Sequence, residues 1–498
     1  MRSGKIRCLV GFVSVVMLCV CVLFPGFAED ANNYSYTYNY DYWKNLRESP
    51  DVYRVKAILD TNSLKLDKAL NNPQGLFVIG DDIYLCDTGN KRIIQIHCDG
   101  EEYTVTRIID TINGAEPATF AQPTDIFVDK EGTMYVCDPS NGRIVKMDKD
   151  CNYIMSFVRP SDETFDPSFA FLPSKAVVDA SGRVYAICTN VNKGFVKYEA
   201  DGFFTGFFGA MEAKYEWSDY IWKMLSTKEQ RAQMVAFVPT EYENVCIDSK
   251  GFLYATIASF VNHNVAATKP IRRINSIGKD ILIRNSANGT IPQGDLEWGE
   301  VTGAYSGASR FTDVTVLHNG IYVGLDRTRG RLFGYDSQGN LLWAFAGIGP
   351  SNGYFDKPVA LEHMGYDLMV LDTKGTNVTI FSPTEYGALI YQATEEYLRG
   401  AYDDSAASWE KVLTYNGNYD MAYVGIGRAQ LRNDQYEEAM KNFQIARDTE
   451  NYGEAFQLYR KEVIEDNVGW VVAIIVIAII VPKIIKRIKK IRAEVNAS

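Results

Sequence analysis

Four aspartates, Asp87, Asp138, Asp326 and Asp372, each close a short apolar run, spaced along the chain in repeating fashion. Carboxylates delivered to one axis by successive repeats can hold a divalent cation such as Ca. Aspartate at the end of a strand also makes turns, because its side chain accepts nearby backbone N–H groups. Here Asp87 is followed by Asn90 and Arg92, and Asp138 by Asn141 and Arg143. That local donor set favours turn and strand-locking hydrogen bonds over ligand contact, and the four are carried forward as channel or turn acids. Other chemistry is thinly represented. The four histidines, His97, His263, His318 and His363, form no HxH or HExxH pattern, which argues against a zinc site or a His-based triad. No Gly-x-Ser-x-Gly elbow, phosphate-cradling loop or CxxC pair is present. No catalytic residue, metal ligand or cofactor is assigned.

One aromatic cluster has a different use. Tyr215, Trp217, Tyr220 and Trp222 lie in a segment, residues 210–236, where the surrounding pattern stops. Ser218 to Leu225 looks helical, and Thr227-Lys-Glu-Gln230 fits a capping box that opens a second helix. A helical insertion rich in Tyr and Trp is a candidate lid or partner-binding patch. Packing on a rim explains the same residues.

The elements that would position these groups come from an internal repeat. Asn72-Pro-Gln-Gly-Leu-Phe-Val78 with Ile83-Tyr-Leu-Cys-Asp87 is matched by Gln122-Pro-Thr-Asp-Ile-Phe-Val128 with Met134-Tyr-Val-Cys-Asp138. The match continues at Leu172-Pro173 with Val184 to Cys188, and further copies begin near Val238, Phe311 and Lys357. Each unit holds β-branched and aromatic runs separated by Gly, Asp or Asn turns, which is strand chemistry. Four strands per ~50 residues is the pattern of a propeller blade. Tyr53 to Leu59 resembles an outer strand with no blade before it, so it is expected to complete the last blade and hide the open edge of the ring. The expected fold is mainly β, a six-bladed β-propeller over residues 52–387. Six cysteines follow the N-terminal segment. Cys86, Cys137 and Cys188 occupy equivalent repeat positions and read as small buried hydrophobes.

The Pro-x-[Gly/Asp]-Ile/Leu start, the Tyr-Val-x-Asp strand end and the Asn-x-Arg-Ile step resemble the NHL-repeat family of six-bladed propellers. Units one and two carry the motif best, and unit four has an insertion from Ser259 to Pro270. The resemblance implies an interaction module.

After the propeller the period changes. Ala393, Gly400, Tyr402, Ser405, Trp409 and Val412 recur 34 residues later as Gly427, Asp434, Tyr436, Ala439, Phe443 and Ala446. Small residues at these places let paired helices approach, and the aromatics fill the gaps. The 34-residue spacing resembles the tetratricopeptide repeat, so residues 388–466 are expected to be a small all-α, TPR-like segment. A third helix, about Tyr452 to Glu465, would cap it. Two units are few for independent stability, so docking on the propeller or on a partner is expected.

The ends set the location. Residues 1–28 have a basic start, an apolar run and small residues before Glu29, the layout of a signal peptide; an uncleaved anchor helix is the other reading. Residues 29–51 are a Tyr-rich N-terminal segment. Residues 467–485 are apolar, with Trp470 and Lys483 suited to the two interfaces, and are expected to form a transmembrane helix. Residues 486–498 are a basic tail, placed in the cytoplasm against the inner leaflet by the positive-inside rule. Of 51 basic and 62 acidic residues in the 498, nine basic and one acidic lie in these two ends, so residues 29–467 carry −19. That charge repels polyanions, and no nucleic-acid partner is expected. The reading is a single-pass cell-membrane protein with residues 29–467 outside, non-catalytic, whose propeller and helices bind an envelope protein or a surface glycan. The alternative is an extracytoplasmic propeller enzyme, a lyase or lactonase, with a divalent cation such as Ca in the central channel.

Overall fold

The computed structural model describes residues 36–165, 170–189, 191–210, 241–257, 269–284, 294–295, 309–317 and 319–496. The signal segment, the aromatic patch from Tyr215 to Trp222 and most of the unit-four insertion lie outside the described residues.

Six antiparallel sheets follow one another along the chain and form a six-bladed β-propeller. Their inner strands are Gly75–Ile79, Asp125–Val128, Pro173–Val178, Asn244–Ile247, Phe311–Val316 and Pro358–Met364. Blade four has three strands among the described residues. Tight hairpins within the blades share one device. Asp129 accepts the N–H groups of Glu131 and Thr133 at 3.0 and 2.8 Å, and Gly132 takes a φ of +85° beside it. Asp179, Asp248 and Asp336 repeat the arrangement with Gly182, Gly251 and Gly339. An aspartate that pairs two turn amides, followed by a residue free to adopt positive φ, is what such a turn demands.

The strand Tyr53–Leu59 pairs antiparallel with Asn377–Pro383 as the outer strand of blade six. The ring therefore closes with one strand from the N-terminal side and three from the C-terminal side, as the repeat pattern predicts. A second N-terminal contribution was not visible in the sequence. Thr37–Tyr40 pairs with Leu341–Phe345 and with Leu46–Glu48, so the Tyr-rich segment adds a hairpin to blade five and makes it six-stranded. Tyr38 and Tyr40 both donate to the buried Asp295, with Arg329 3.2 Å from the same carboxylate.

Four helices follow the propeller: α1 (Glu385–Leu398), α2 (Tyr402–Tyr415), α3 (Asp420–Arg432) and α4 (Tyr436–Ile445). Thr384 caps α1 by accepting the Gly387 N–H at 3.2 Å. A Cβ at Gly425 would strike Trp409, and one at Gly427 would strike Phe443, so small and aromatic residues are matched across the stack. The helix α5 (Thr449–Val495) closes the stack with Ala455 and Leu458 and continues without a break. The expected third helix and the expected membrane segment are thus one helix. It is long and apolar enough to cross a membrane, and its apolar stretch is covered by nothing in the described structure.

The helices share a core with the propeller. Val52, Tyr53, Trp343, Phe345 and Phe381 join Tyr386, Ile390, Tyr391, Trp409 and Tyr419 in one buried cluster. The Tyr53 ring stacks on Phe345 with centroids 4.9 Å apart, and its hydroxyl meets that of Tyr391 at 2.5 Å. Tyr419 donates to the Leu342 carbonyl at 2.6 Å. Tyr53 therefore belongs at once to the closing strand and to the helical interface. Truncating a fully buried aromatic costs about 3–5 kcal/mol. Tyr53→Ala should lower the urea midpoints of the near-UV propeller signal and the far-UV helix signal together, whereas Tyr53→Phe, which loses only the hydroxyl contacts, should cost roughly 1 kcal/mol.

Candidate functional site

The inner strand of a blade has no neighbour on its axial side, so alternate backbone N–H and C=O groups there need other partners. In this protein, side chains from the adjacent blade supply several. Asp125 of blade two accepts the Ala176 N–H of blade three at 3.1 Å. Asp313 of blade five accepts the Leu361 N–H of blade six at 2.7 Å. Thr124 donates to the Ser174 carbonyl at 3.0 Å, and Thr88 to the Pro123 carbonyl at 2.7 Å. Thr373 reaches Asn72 at 3.2 Å and so ties blade six back to blade one. Gly75 stands where blade two carries Asp125; a Cβ there would lie 2.7 Å from the Thr124 carbonyl oxygen.

These positions assemble a charged cluster at the axis. Lys175 lies 3.1 Å from Asp125, and both are buried or nearly so. Burial works to lower the pKa of the Lys175 ammonium, but the facing Asp125 and Asp313 prevail and raise it. Burial pushes the carboxyl of Asp313 up to about 7 although Lys175 and two backbone N–H groups oppose the rise. Glu362, two positions along the blade-six strand from Ala360, is raised well above the usual range by burial and by the charges of Asp313 and Asp125. Asp125 thus pairs with Lys175, and burial raises the pKa of Asp125, Asp313 and Glu362 alike. At one end of the cluster Glu243 pairs with Arg327 and accepts from Thr312 at 3.4 Å. Further along the blade-six strand, His363 meets the Thr315 hydroxyl at 2.7 Å.

The four aspartates singled out in the sequence lie elsewhere, in the turns between second and third strands. Asp87 accepts from the Asn71 N–H, Asn90 and Arg92, each at 2.8 Å. Asp138 accepts from the Ala121 and Gln122 N–H groups and from Asn141. Asp326 accepts from the Arg310 and Thr328 N–H groups. Asp372 accepts four backbone N–H groups, from Asp356, Lys357, Lys374 and Gly375. Each pins the chain entering its blade to that blade's own turn, and the four do not converge on the channel. The axial residues Asp125, Lys175, Asp313 and Glu362 were missed. The signal for them was a charge standing in an otherwise apolar inner strand, at or near one position of the repeat.

Among the described residues no three His, Cys, Asp or Glu side chains come together as a metal-holding group. At the axis the ammonium of Lys175 stands where a cation would face Asp125 and Asp313. The residues present do not fit a divalent cation there. All six described cysteines are free, and Cys86, Cys137 and Cys188 are fully buried. A crevice of about 390 Å³ opens between the loop 348–354 and blade six, where Ile58, Asp356, Asn377 and Thr379 line it.

No protein-family model and no curated protein matches the chain. Similar solved structures include a streptogramin B lyase, 11% identical with a TM-score of 0.41, covering 67% of this chain and 100% of that one. An inactive virginiamycin B lyase variant from Staphylococcus aureus is 13% identical with a TM-score of 0.40, covering 66% and 88%. A gluconolactonase from Xanthomonas campestris is 12% identical with a TM-score of 0.37, covering 67% and 96%. Likeness at this level carries no activity to the present chain.

The axial cluster makes stability depend on pH. The folded state keeps a proton on Asp313 up to about pH 7, while the unfolded chain releases it near 4. This contribution is present at low pH and is lost as pH rises from about 4 to 7. Asp313→Asn keeps an oxygen for the Leu361 N–H and removes the titration. Between pH 5 and pH 8 the wild type should lose roughly 1–4 kcal/mol more than this variant, read from urea midpoints.

Proposed function

We propose that this chain is a non-catalytic, membrane-anchored binding or scaffold protein. In this reading an NHL-type propeller is the recognition platform, TPR-like hairpins brace it, and an envelope protein or a surface glycan is the partner. The observation that supports it most is the continuity of the support. One hydrophobic cluster joins blades five and six to α1–α3, and α5 runs from that stack into its apolar stretch as a single helix. Such a mount holds a face at a defined distance from a bilayer. Asp125, Lys175, Asp313 and the turn aspartates also fit a binding role, since they are engaged in holding blades or turns together. Residues 29–467 lie outside in this reading, with the basic tail on the inner leaflet.

The competing reading is an extracytoplasmic lyase or lactonase. It draws on the carboxyls of Asp125, Asp313 and Glu362 near the axis, but in its cation-dependent form it conflicts with the placement of Lys175.

One measurement tests the topology that both readings share, and a second separates the two. Intact cells treated with protease should lose the propeller while a C-terminal epitope survives in the membrane pellet; protection of the propeller would overturn the topology. In the binding reading, purified full-length protein in detergent should shift its melting temperature by less than about 1 °C in millimolar Ca, since that reading has no cation site to saturate. A rise of several degrees would favour the enzyme.

A further inference from the structure

One axial carboxyl has no junction duty. The inner-strand residues Phe77, Phe127, Val177, Cys246, Thr315 and Glu362 meet their second strands at the same register position, so they form one level of the channel. It adjoins the level that holds Asp125, Lys175 and Asp313, and Glu362 is the one carboxyl in it. Phe77, Phe127, Cys246 and Glu362 are partly exposed. An inner strand is flanked by its own blade and by both neighbours, so that exposure reports open space along the axis. At the equivalent position of blade five, the Thr315 hydroxyl reaches across to His363 of the next blade at 2.7 Å. Glu362 faces blade one in the same way, and there Val78 stands where blade six has His363. Valine offers no hydrogen bond. The backbone N–H of His363 stands beside the Glu362 carboxyl, and among the described residues no side-chain donor reaches it. Phe77, on the adjoining inner strand, lies with its ring 5.1 Å from that of Phe127.

We propose that this level of the channel binds an organic cation, a primary or quaternary ammonium on a short apolar arm, with its charge on Glu362 and its arm against Phe77 and Phe127. The neighbouring level already holds such an arrangement within the chain. There the Lys175 ammonium lies 3.1 Å from Asp125 and is also favoured by Asp313. Lys175 is engaged by those two carboxyls, and Glu362 is left without a counter-charge. Burial disfavours its charged form. A bound ammonium supplies the missing charge in a place where little water competes for it. The phenyl rings of Phe77 and Phe127 suit the same ligand, because a ring face attracts a cation and its body shelters an apolar arm. Other classes fit less well. An anion would meet the carboxyls of Asp125, Asp313 and Glu362. A sugar would find one carboxyl among apolar side chains, too few partners for its hydroxyls. A metal ion would lack ligands, since no three His, Cys, Asp or Glu side chains gather among the described residues. The inference adds a small-molecule site to the scaffold reading and rests neither on the anchor nor on a macromolecular partner.

Titration calorimetry on the full-length protein in detergent tests it, with blank titrations into detergent alone. The probes are 2-phenylethylamine, phenyltrimethylammonium and 2-phenylethanol, the last having the shape of the first without its charge. The wild type should bind 2-phenylethylamine at least about tenfold more tightly than 2-phenylethanol, the factor expected of a desolvated charge pair. Glu362→Gln keeps the shape and removes the charge, so it should abolish that preference while the near-UV spectrum stays that of the wild type. Phe77→Leu keeps the bulk and removes the ring face, and should weaken phenyltrimethylammonium by about threefold to tenfold. That variant decides the matter if the glutamine variant does not fold. No binding of either cation at about 10 mM, a concentration that saturates even a millimolar site, would overturn the inference. So would equal affinity for the amine and the alcohol, or full affinity for the cations in both variants.

Discussion

A closed ring of sheets has inner strands whose axial backbone groups no further strand can pair. Everything else in this protein follows from how that need is met. Asp125 and Asp313 reach across blade junctions to accept N–H groups, and threonines at other junctions donate to carbonyls. The cost is a set of carboxyls brought into a space with little water. Lys175 offsets part of it, and burial raises the pKa of Asp313 and Glu362, which disfavours their charged forms. Within the cluster, Asp125 and Asp313 serve as junction groups of the ring.

Closure has a second consequence. The strand that completes blade six arrives from the N-terminal side, and its first residues also form the floor on which the helices sit. The Val52 carbonyl accepts the Thr384 N–H, and Gly387 passes so close to Val52 that a Cβ would meet its carbonyl oxygen at 2.3 Å. Ring closure and helix docking therefore use the same few residues. The Tyr-rich hairpin on blade five adds a third tie, through Ser49 to Tyr386 and through the Tyr42 N–H to Asp420. Propeller and helices are thus tied together at three places by shared core residues and hydrogen bonds.

Much of this was legible in the sequence because it rests on periodicity. Six repeats gave six blades, and Tyr53 to Leu59 could be placed by its likeness to the outer strands. The helical pairs showed themselves by small and aromatic residues at a fixed spacing. What stayed hidden depends on contacts between distant segments. Nothing local marks Thr37–Tyr40 as a strand of blade five, since its partner lies some 300 residues later. The turn aspartates drew attention because they recur, whereas the axial residues vary from blade to blade: Gly75, Asp125, Lys175, Asn244, Asp313 and Ala360. Variation at one repeat position is how a ring with sixfold architecture acquires an asymmetric axis. It is read only once the repeats are aligned in space.

The central claim is that the ring and its mount are one rigid body. Pulsed electron-spin distance measurement tests this directly, with one label on the outer hairpin at Lys149 and one on α5 at Glu465, in the full-length protein reconstituted in bilayers. A single narrow distance distribution, unchanged between detergent and lipid, is the result expected. A broad or bimodal distribution would mean that the propeller swings on its anchor, and would contradict a rigid mount.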